Sequence, residues 1–267
     1  MTAARADRDS RHSGANAAAV RERCDGDWVC VRREAGEGGA RYTVDNRSAA
    51  PLTVTVRIGS RGRGRTITAT LDPGASEELA QMTVRPWPDF TFAWTVGRQS
   101  ARHDDDYLYR LPYAGGRRYR VLQGYGSRFS HTGYEYYAVD FDMPEGTPVH
   151  AARDGVVARI EESNTVGCWK DGCGKYANFV VVLHDDGTTG EYYHLQHDGA
   201  LVGIGDRVRR GQQIALSGNT GHTTMPHLHF AVYRAVSWGN TASIPVRFDS
   251  AHGVIERPRR GRGYVAR

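Results

Sequence analysis

Three short segments carry side chains whose types and spacing suit metal chemistry. The first is Pro226-His227-Leu228-His229-Phe230. On a β-strand, residues two apart project from one face, roughly 6.5–7 Å apart, so His227 and His229 can share a surface. One imidazole can then bind a metal while the other reaches past it. The second segment runs from Ser130-His131 to Ala138-Val139-Asp140-Phe141. A histidine and a carboxylate brought together around a loop are natural ligands for Zn2+, which accepts nitrogen and oxygen donors. The third is Glu191-Tyr192-Tyr193-His194-Leu195. Of the 11 histidines, His12, His103, His197, His222 and His252 sit in polar or turn-rich contexts and read as surface residues. His150 and His184 flank expected strands and read as structural imidazoles.

The elements that must position these groups are strands. Leu52, Val54, Val56 and Ile58 alternate with Thr53, Thr55 and Arg57. Ile67, Ala69 and Leu71 repeat the pattern before the turn Asp72-Pro73-Gly74, and Phe90, Phe92, Trp94 and Val96 repeat it again. Period-2 alternation marks half-buried strands. With Gly/Pro turns between them, these strands predict a small antiparallel β-sandwich over residues 21–110, read as a structural or positioning module. The stretch HDDDYLYRLPYAGGRR (103–118) breaks the alternation, which places a linker near 105–118. A second β-rich domain is expected over 119–248. In it, Tyr176 to Leu183 and Thr188 to His194 flank Asp185-Asp186-Gly187 as a hairpin. Residues 1–20 read as a flexible tail and 249–267 as a basic one, whose end over 256–267 is expected to be disordered.

Hydrophobic content of 39% with 32 glycines, 14 tyrosines and only two lysines describes a globular, turn-rich β protein rather than a fibrous or disordered chain. The formal net charge of +5 is almost entirely arginine and forms no basic stripe with interleaved aromatics. A nucleic-acid partner is therefore not expected. The four cysteines form two local pairs, Cys24/Cys30 and Cys168/Cys173. An even count of local pairs fits disulfides made in an oxidising compartment. The alternative, one zinc site built from all four, ordinarily uses tighter spacing. Residues 1–20 lack the apolar core of a signal peptide, and no apolar run approaches the ~18 residues that span a bilayer.

In their order and separations, these segments resemble the lysostaphin-type (LytM-like) zinc endopeptidases, which cut peptide cross-links in bacterial cell walls. The residues that carry the likeness are His131 and Asp140, then Gly146-Thr147-Pro148-Val149 with Asp154-Gly155. Tyr192-Tyr193-His194-Leu195, Gly218-Asn219-Thr220-Gly221 and His227-Leu228-His229-Phe230 complete it, over roughly 125–235. One departure stands out. In typical members the first histidine lies four residues before the aspartate, whereas nine positions separate His131 from Asp140 here. With the sandwich read from the alternation, the expected chain is all-β, and the resemblance implies that its second domain is an antiparallel β-sheet groove domain of the lysostaphin type (duplicated hybrid motif). It further implies Zn2+ held by His131, Asp140 and His229, with His194 and His227 as the catalytic imidazoles. The expected activity is hydrolysis of peptidoglycan cross-links or stem peptides in the periplasm or outside the cell. The rivals are a non-enzymatic wall-binding or amidase-activating module of the same fold, and an endopeptidase acting on proteins.

Overall fold

A computed structural model describes residues 20–36, 38–83 and 85–267. The expected flexible tail lies outside the described residues except for Val20, which opens a strand. The chain divides into two compact units. Among the described residues, one comprises 20–99 together with Ala235–Asn240, the other Ser100–Arg234 with Thr241–Arg267. No helix among the described residues is long and apolar enough to cross a membrane.

The first unit holds two antiparallel sheets. One pairs strands Val20–Asp25, Val29–Gly36, Gly39–Asn46 and Ser76–Met82 in that order; the other sets Leu52–Ile58 between Arg65–Leu71 and Phe90–Val96. Val54, Val56, Val31, Tyr42 and Val44 are all fully buried, because alternation delivers them to the face between the sheets. Trp28 stacks on Trp94 at 5.3 Å, and Tyr42 meets Phe90 edge-on at 6.1 Å. The opposite face of Leu52–Ile58 is polar yet buried. Thr53 and Thr55 are wholly enclosed, and their hydroxyls bond Thr70 and Thr68 across the strands. Cys24 and Cys30 face each other in a hairpin and are joined by a disulfide.

The second unit is organised by a nine-stranded sheet. Its order is Arg207–Val208, Gly155–Glu161, Phe179–Leu183, Thr189–Tyr193, Leu228–Ala235, Val139–Phe141, Arg118–Gln123 and Gly263–Val265, with Thr241–Ile244 also on Leu228–Ala235. The β-branched run Phe179–Leu183 turns through Gly187, at φ +82°, and returns as Thr189–Tyr193. A smaller sheet of Pro148–His150, Gln213–Ser217 and Leu195–Ala200 accompanies it. Tyr192, Phe230, Phe141, Val180 and Ile214 are among the buried side chains of the shared core.

Two boundaries differ from expectation. The stretch placed as a linker near 105–118, and with it the end of the sandwich at residue 110, belongs to the second unit. Leu108–Arg110 pairs in parallel with Arg247–Ser250, and Tyr109, Leu111 and Tyr113 enter the core. The alternating Tyr109, Leu111 and Tyr113 were the strand signal there, obscured by the charged residues before and after them. The basic tail over 249–267, expected to be disordered over 256–267, is folded. Gly263–Val265 pairs with Arg118–Gln123, the backbone N–H of Val121 donates to the Arg262 carbonyl, and Ala266 is buried. A three-residue strand set among Arg and Gly has no periodicity of its own; its partner lies well over a hundred residues away.

His184 is buried beside Gly190. Its Nδ1 meets the Thr188 hydroxyl at 3.0 Å, and its Nε2 has no hydrogen-bond partner. Burial, then the Arg153 guanidinium, push its pKa from 6.5 down to about 3. The unfolded chain therefore takes up a proton near pH 6.5 that the folded one refuses, and stability falls as pH drops from about 6.5 towards 3. Tm measured against pH should show that slope reduced in His184→Gln. Removing residues 257–267 strips the ladder partner from Arg118–Gln123 and uncovers its edge. The lost bonds and packing amount to roughly 2–3 kcal/mol, so a thermal melt should show Tm lower by about 5–10 °C.

Candidate metal centre

Asp140 is the middle residue of the short strand Val139–Phe141, and His229 lies early in Leu228–Ala235. The two are direct cross-strand partners, so backbone pairing alone sets their side chains on one face. Tyr193 is paired to His229 from the other side, which brings the end of Thr189–Tyr193, and His194 after it, to the same place. His131 arrives from the loop before Val139–Phe141. One donor atom from each of His131, Asp140 and His229 lies within 4.8 Å of the others, and all three residues are buried.

The hydrogen bonds around these groups decide which atoms face the centre. His131 Nδ1 lies 3.2 Å from the Gly124 carbonyl, which can only accept, so the ring proton belongs there and Nε2 is turned to Asp140 Oδ1 at 3.2 Å. On His229 the roles are reversed. Nε2 lies 3.2 Å from the Tyr233 hydroxyl, and Nδ1 lies 2.9 Å from Asp140 Oδ1. Gln123 Nε2 donates to the other Asp140 oxygen at 2.6 Å. Burial disfavours the Asp140 charge, but the contacts with His131 and His229 outweigh it and hold the carboxyl well below the usual carboxylate range. Burial likewise opposes a charge on His229, yet its bonds to Asp140 and Glu135 lift its pKa to about 9.

Two imidazole lone pairs aimed at one carboxylate oxygen repel it unless a positive charge intervenes. Protonated imidazole provides that charge, and so does a cation among the three donors. Two nitrogens and one carboxylate oxygen, with the far ring nitrogens anchored, fit a zinc ion and leave a coordination position for water or substrate.

His194 and His227 stand over the same centre. Their ring centroids are 4.5 Å apart, His194 is 6.0 Å from the His229 ring, and His227 Nε2 is 3.9 Å from Asp140 Oδ2. His194 Nδ1 donates to the Thr220 carbonyl at 2.7 Å, and His227 Nδ1 donates to that of Met225 at 2.8 Å. Each ring is thus fixed with Nε2 free to accept a proton. Burial, then the neighbouring His227 and His229, hold the His194 pKa well below 6.5 and keep it neutral. Thr220 is itself held, accepting from the Asn178 N–H and donating to the Leu195 carbonyl. A side chain at Gly218 would meet the Leu195–Gln196 backbone at 2.5 Å, so only glycine lets that segment lie so close. Gly146-Thr147-Pro148-Val149 and Asp154-Gly155 supply strand starts instead of site groups.

The five residues singled out from the sequence therefore converge. Glu135 and Tyr233 escaped sequence reasoning. Tyr233 follows His229 by four along one strand and so shares its face, a signal open to inspection. Glu135 lies in a 3-10 turn, Gly133–Glu135, inside the nine-position connection, and no local pattern marks it. His222, expected at the surface, is exposed and stacks on Trp169 at 4.1 Å.

Residues 134–243 match peptidase family M23, a span that includes Asp140, His194, His227 and His229 and begins three residues after His131. Glycyl-glycine endopeptidase ALE-1 of Staphylococcus capitis is 36% identical over 137 residues, 51% of this chain and 35% of that protein. Peptidoglycan DD-endopeptidase ShyA of Vibrio cholerae is 43% identical over 91 residues, 34% of this chain and 18% of that protein. Among solved structures, the catalytic domain of lysostaphin from Staphylococcus simulans aligns at 27% identity with a TM-score of 0.33, covering 53% of this chain and 95% of that one. The chain thus spans about a third or less of the length of these two curated relatives.

His194 adopts φ +64°, a left-handed backbone that asparagine tolerates and β-branched residues resist. In thermal melts, His194→Asn should stay within about 3 °C of the parent. His194→Val should lose roughly 1–3 kcal/mol, or about 3–9 °C.

Proposed function

Because the chain carries a domain of peptidase family M23 over residues 134–243, we propose that it is a zinc-dependent endopeptidase hydrolysing the peptide cross-links or stem peptides of bacterial peptidoglycan. The observation that carries this reading is the convergence of His131, Asp140, His229, His194 and His227 on one buried centre. His131 through Nε2, Asp140 through its carboxylate and His229 through Nδ1 would hold the ion. When bound, Zn2+ supplies Lewis-acid activation of water and of the scissile carbonyl.

The remaining work falls to side chains. His194, neutral and with Nε2 unoccupied, is suited to take the proton of the attacking water. His227, 4.5 Å away ring to ring, completes a pair able to pass a proton to the departing amine or to stabilise developing negative charge. Thr220 and Met225 hold the two rings through their carbonyls, so their orientation is fixed before substrate arrives. Relatives named for action on peptidoglycan or on glycyl-glycine bonds support a wall substrate. The two disulfides fit an extracytoplasmic setting, periplasmic or secreted.

Purified peptidoglycan should release soluble peptide fragments on incubation with the protein. A chelator should stop the release and added zinc should restore it. His194→Ala and His227→Ala should each cut the rate by ~10²–10⁴-fold while zinc content stays near that of the parent. Hydrolysis indifferent to chelator, or full activity in both variants, contradicts the proposal.

A further inference from the structure

The longer connection between His131 and Asp140 places a carboxylate behind the third candidate ligand. We propose that Glu135, acting through the Tyr233 hydroxyl, is a positioning residue for His229, fixing which ring nitrogen meets the metal and strengthening that nitrogen as a donor. This inference rests on the metal-centre reading given above.

The geometry is a short relay. The Tyr233 hydroxyl donates to Glu135 Oε2 at 2.5 Å, so its oxygen is left to accept. The His229 Nε2 lies 3.2 Å from that oxygen and 3.6 Å from Glu135 Oε2 itself. A proton on Nε2 is therefore accepted by the Tyr233 oxygen and faces the negative charge of Glu135, and Nδ1 is committed to the side of Asp140 and His131. An imidazole whose far N–H is bound by a carboxylate carries more electron density at its metal-facing nitrogen and cannot rotate away from it.

The relay is built into the fold. Tyr233 is fully buried in a small cluster with Ala138 and Ala231, at the base of the inserted connection. The turn that bears Glu135 is pinned at several points. The Glu135 N–H donates to the Thr132 carbonyl, the Tyr136 carbonyl accepts from Gly126, and the Tyr137 N–H donates to the Ser243 hydroxyl. The Tyr136 ring lies so close over Gly126 that a side chain there would meet it at 2.8 Å. A loop that merely bridged His131 and Asp140 has no need of such anchoring. Here it delivers one carboxylate to one hydroxyl.

The test is zinc affinity, measured by competition with a chromophoric chelator at fixed pH on the full chain. It is run on the parent, Glu135→Gln, Tyr233→Phe and His229→Ala, with melts of the zinc-free proteins alongside. Glu135→Gln keeps size and an acceptor but removes the charge; Tyr233→Phe keeps the ring but breaks the relay. Both should bind zinc ~10–100-fold more weakly than the parent. Zinc-free Glu135→Gln should still unfold in one cooperative transition, at a Tm lowered by the lost charge beside His229. With Co2+ in place of zinc, the visible absorption band should shift in Tyr233→Phe. Affinities within about twofold of the parent for Glu135→Gln overturn the proposal, and that variant decides alone should Tyr233→Phe not fold. A parent whose zinc binding is unaffected by His229→Ala fails differently, because it removes the metal centre itself.

Discussion

The pairing of Asp140 with His229 across two adjacent antiparallel strands is the constraint on which the candidate centre depends. Strand register sets the distance between them, and no loop has to be ordered to achieve it. The same strand, Leu228–Ala235, pairs on its other edge with Thr189–Tyr193, so His194 is carried to the site by a ladder as well. Residues placed by sheet registry lose little further freedom on binding an ion or a substrate, and this suits a site that must hold donors within a few tenths of an ångström. His131 is the exception. It comes from a loop and is held by the Gly124 carbonyl in place of a ladder.

Around this pair the protein repeats one device: each imidazole has its far nitrogen tied to an oxygen. Gly124, Thr220 and Met225 supply carbonyls to His131, His194 and His227, and Tyr233 supplies a hydroxyl to His229. A carbonyl oxygen only accepts, so it fixes tautomer as well as orientation. The outcome is a cluster of imidazole nitrogens around a single carboxylate, an arrangement that needs positive charge, from a proton on a ring or from a metal cation.

Much of this was legible in the sequence. The alternation in Leu52–Ile58 and Phe90–Val96 marks strands because a half-buried sheet needs alternating faces, and the Asp185-Asp186-Gly187 turn marks a hairpin because Gly187 must take a positive φ. His227 and His229 announce a shared face by their spacing. What stayed hidden depended on remote partners. Gly263–Val265 is a strand only because Arg118–Gln123 offers it an edge, and the Leu108–Arg110 strand needs Arg247–Ser250 beside it. Glu135 is meaningful only beside Tyr233, 98 residues away. Local composition describes neither contact.

Three side chains from two strands and a loop are proposed to hold one zinc ion. Diffraction from zinc-loaded crystals, with data taken on both sides of the zinc absorption edge, tests it most directly. A single anomalous peak is expected among His131 Nε2, the Asp140 carboxylate and His229 Nδ1, with His194 and His227 nearby but not bound to it. A peak elsewhere, or none in crystals soaked with excess zinc, would contradict the account.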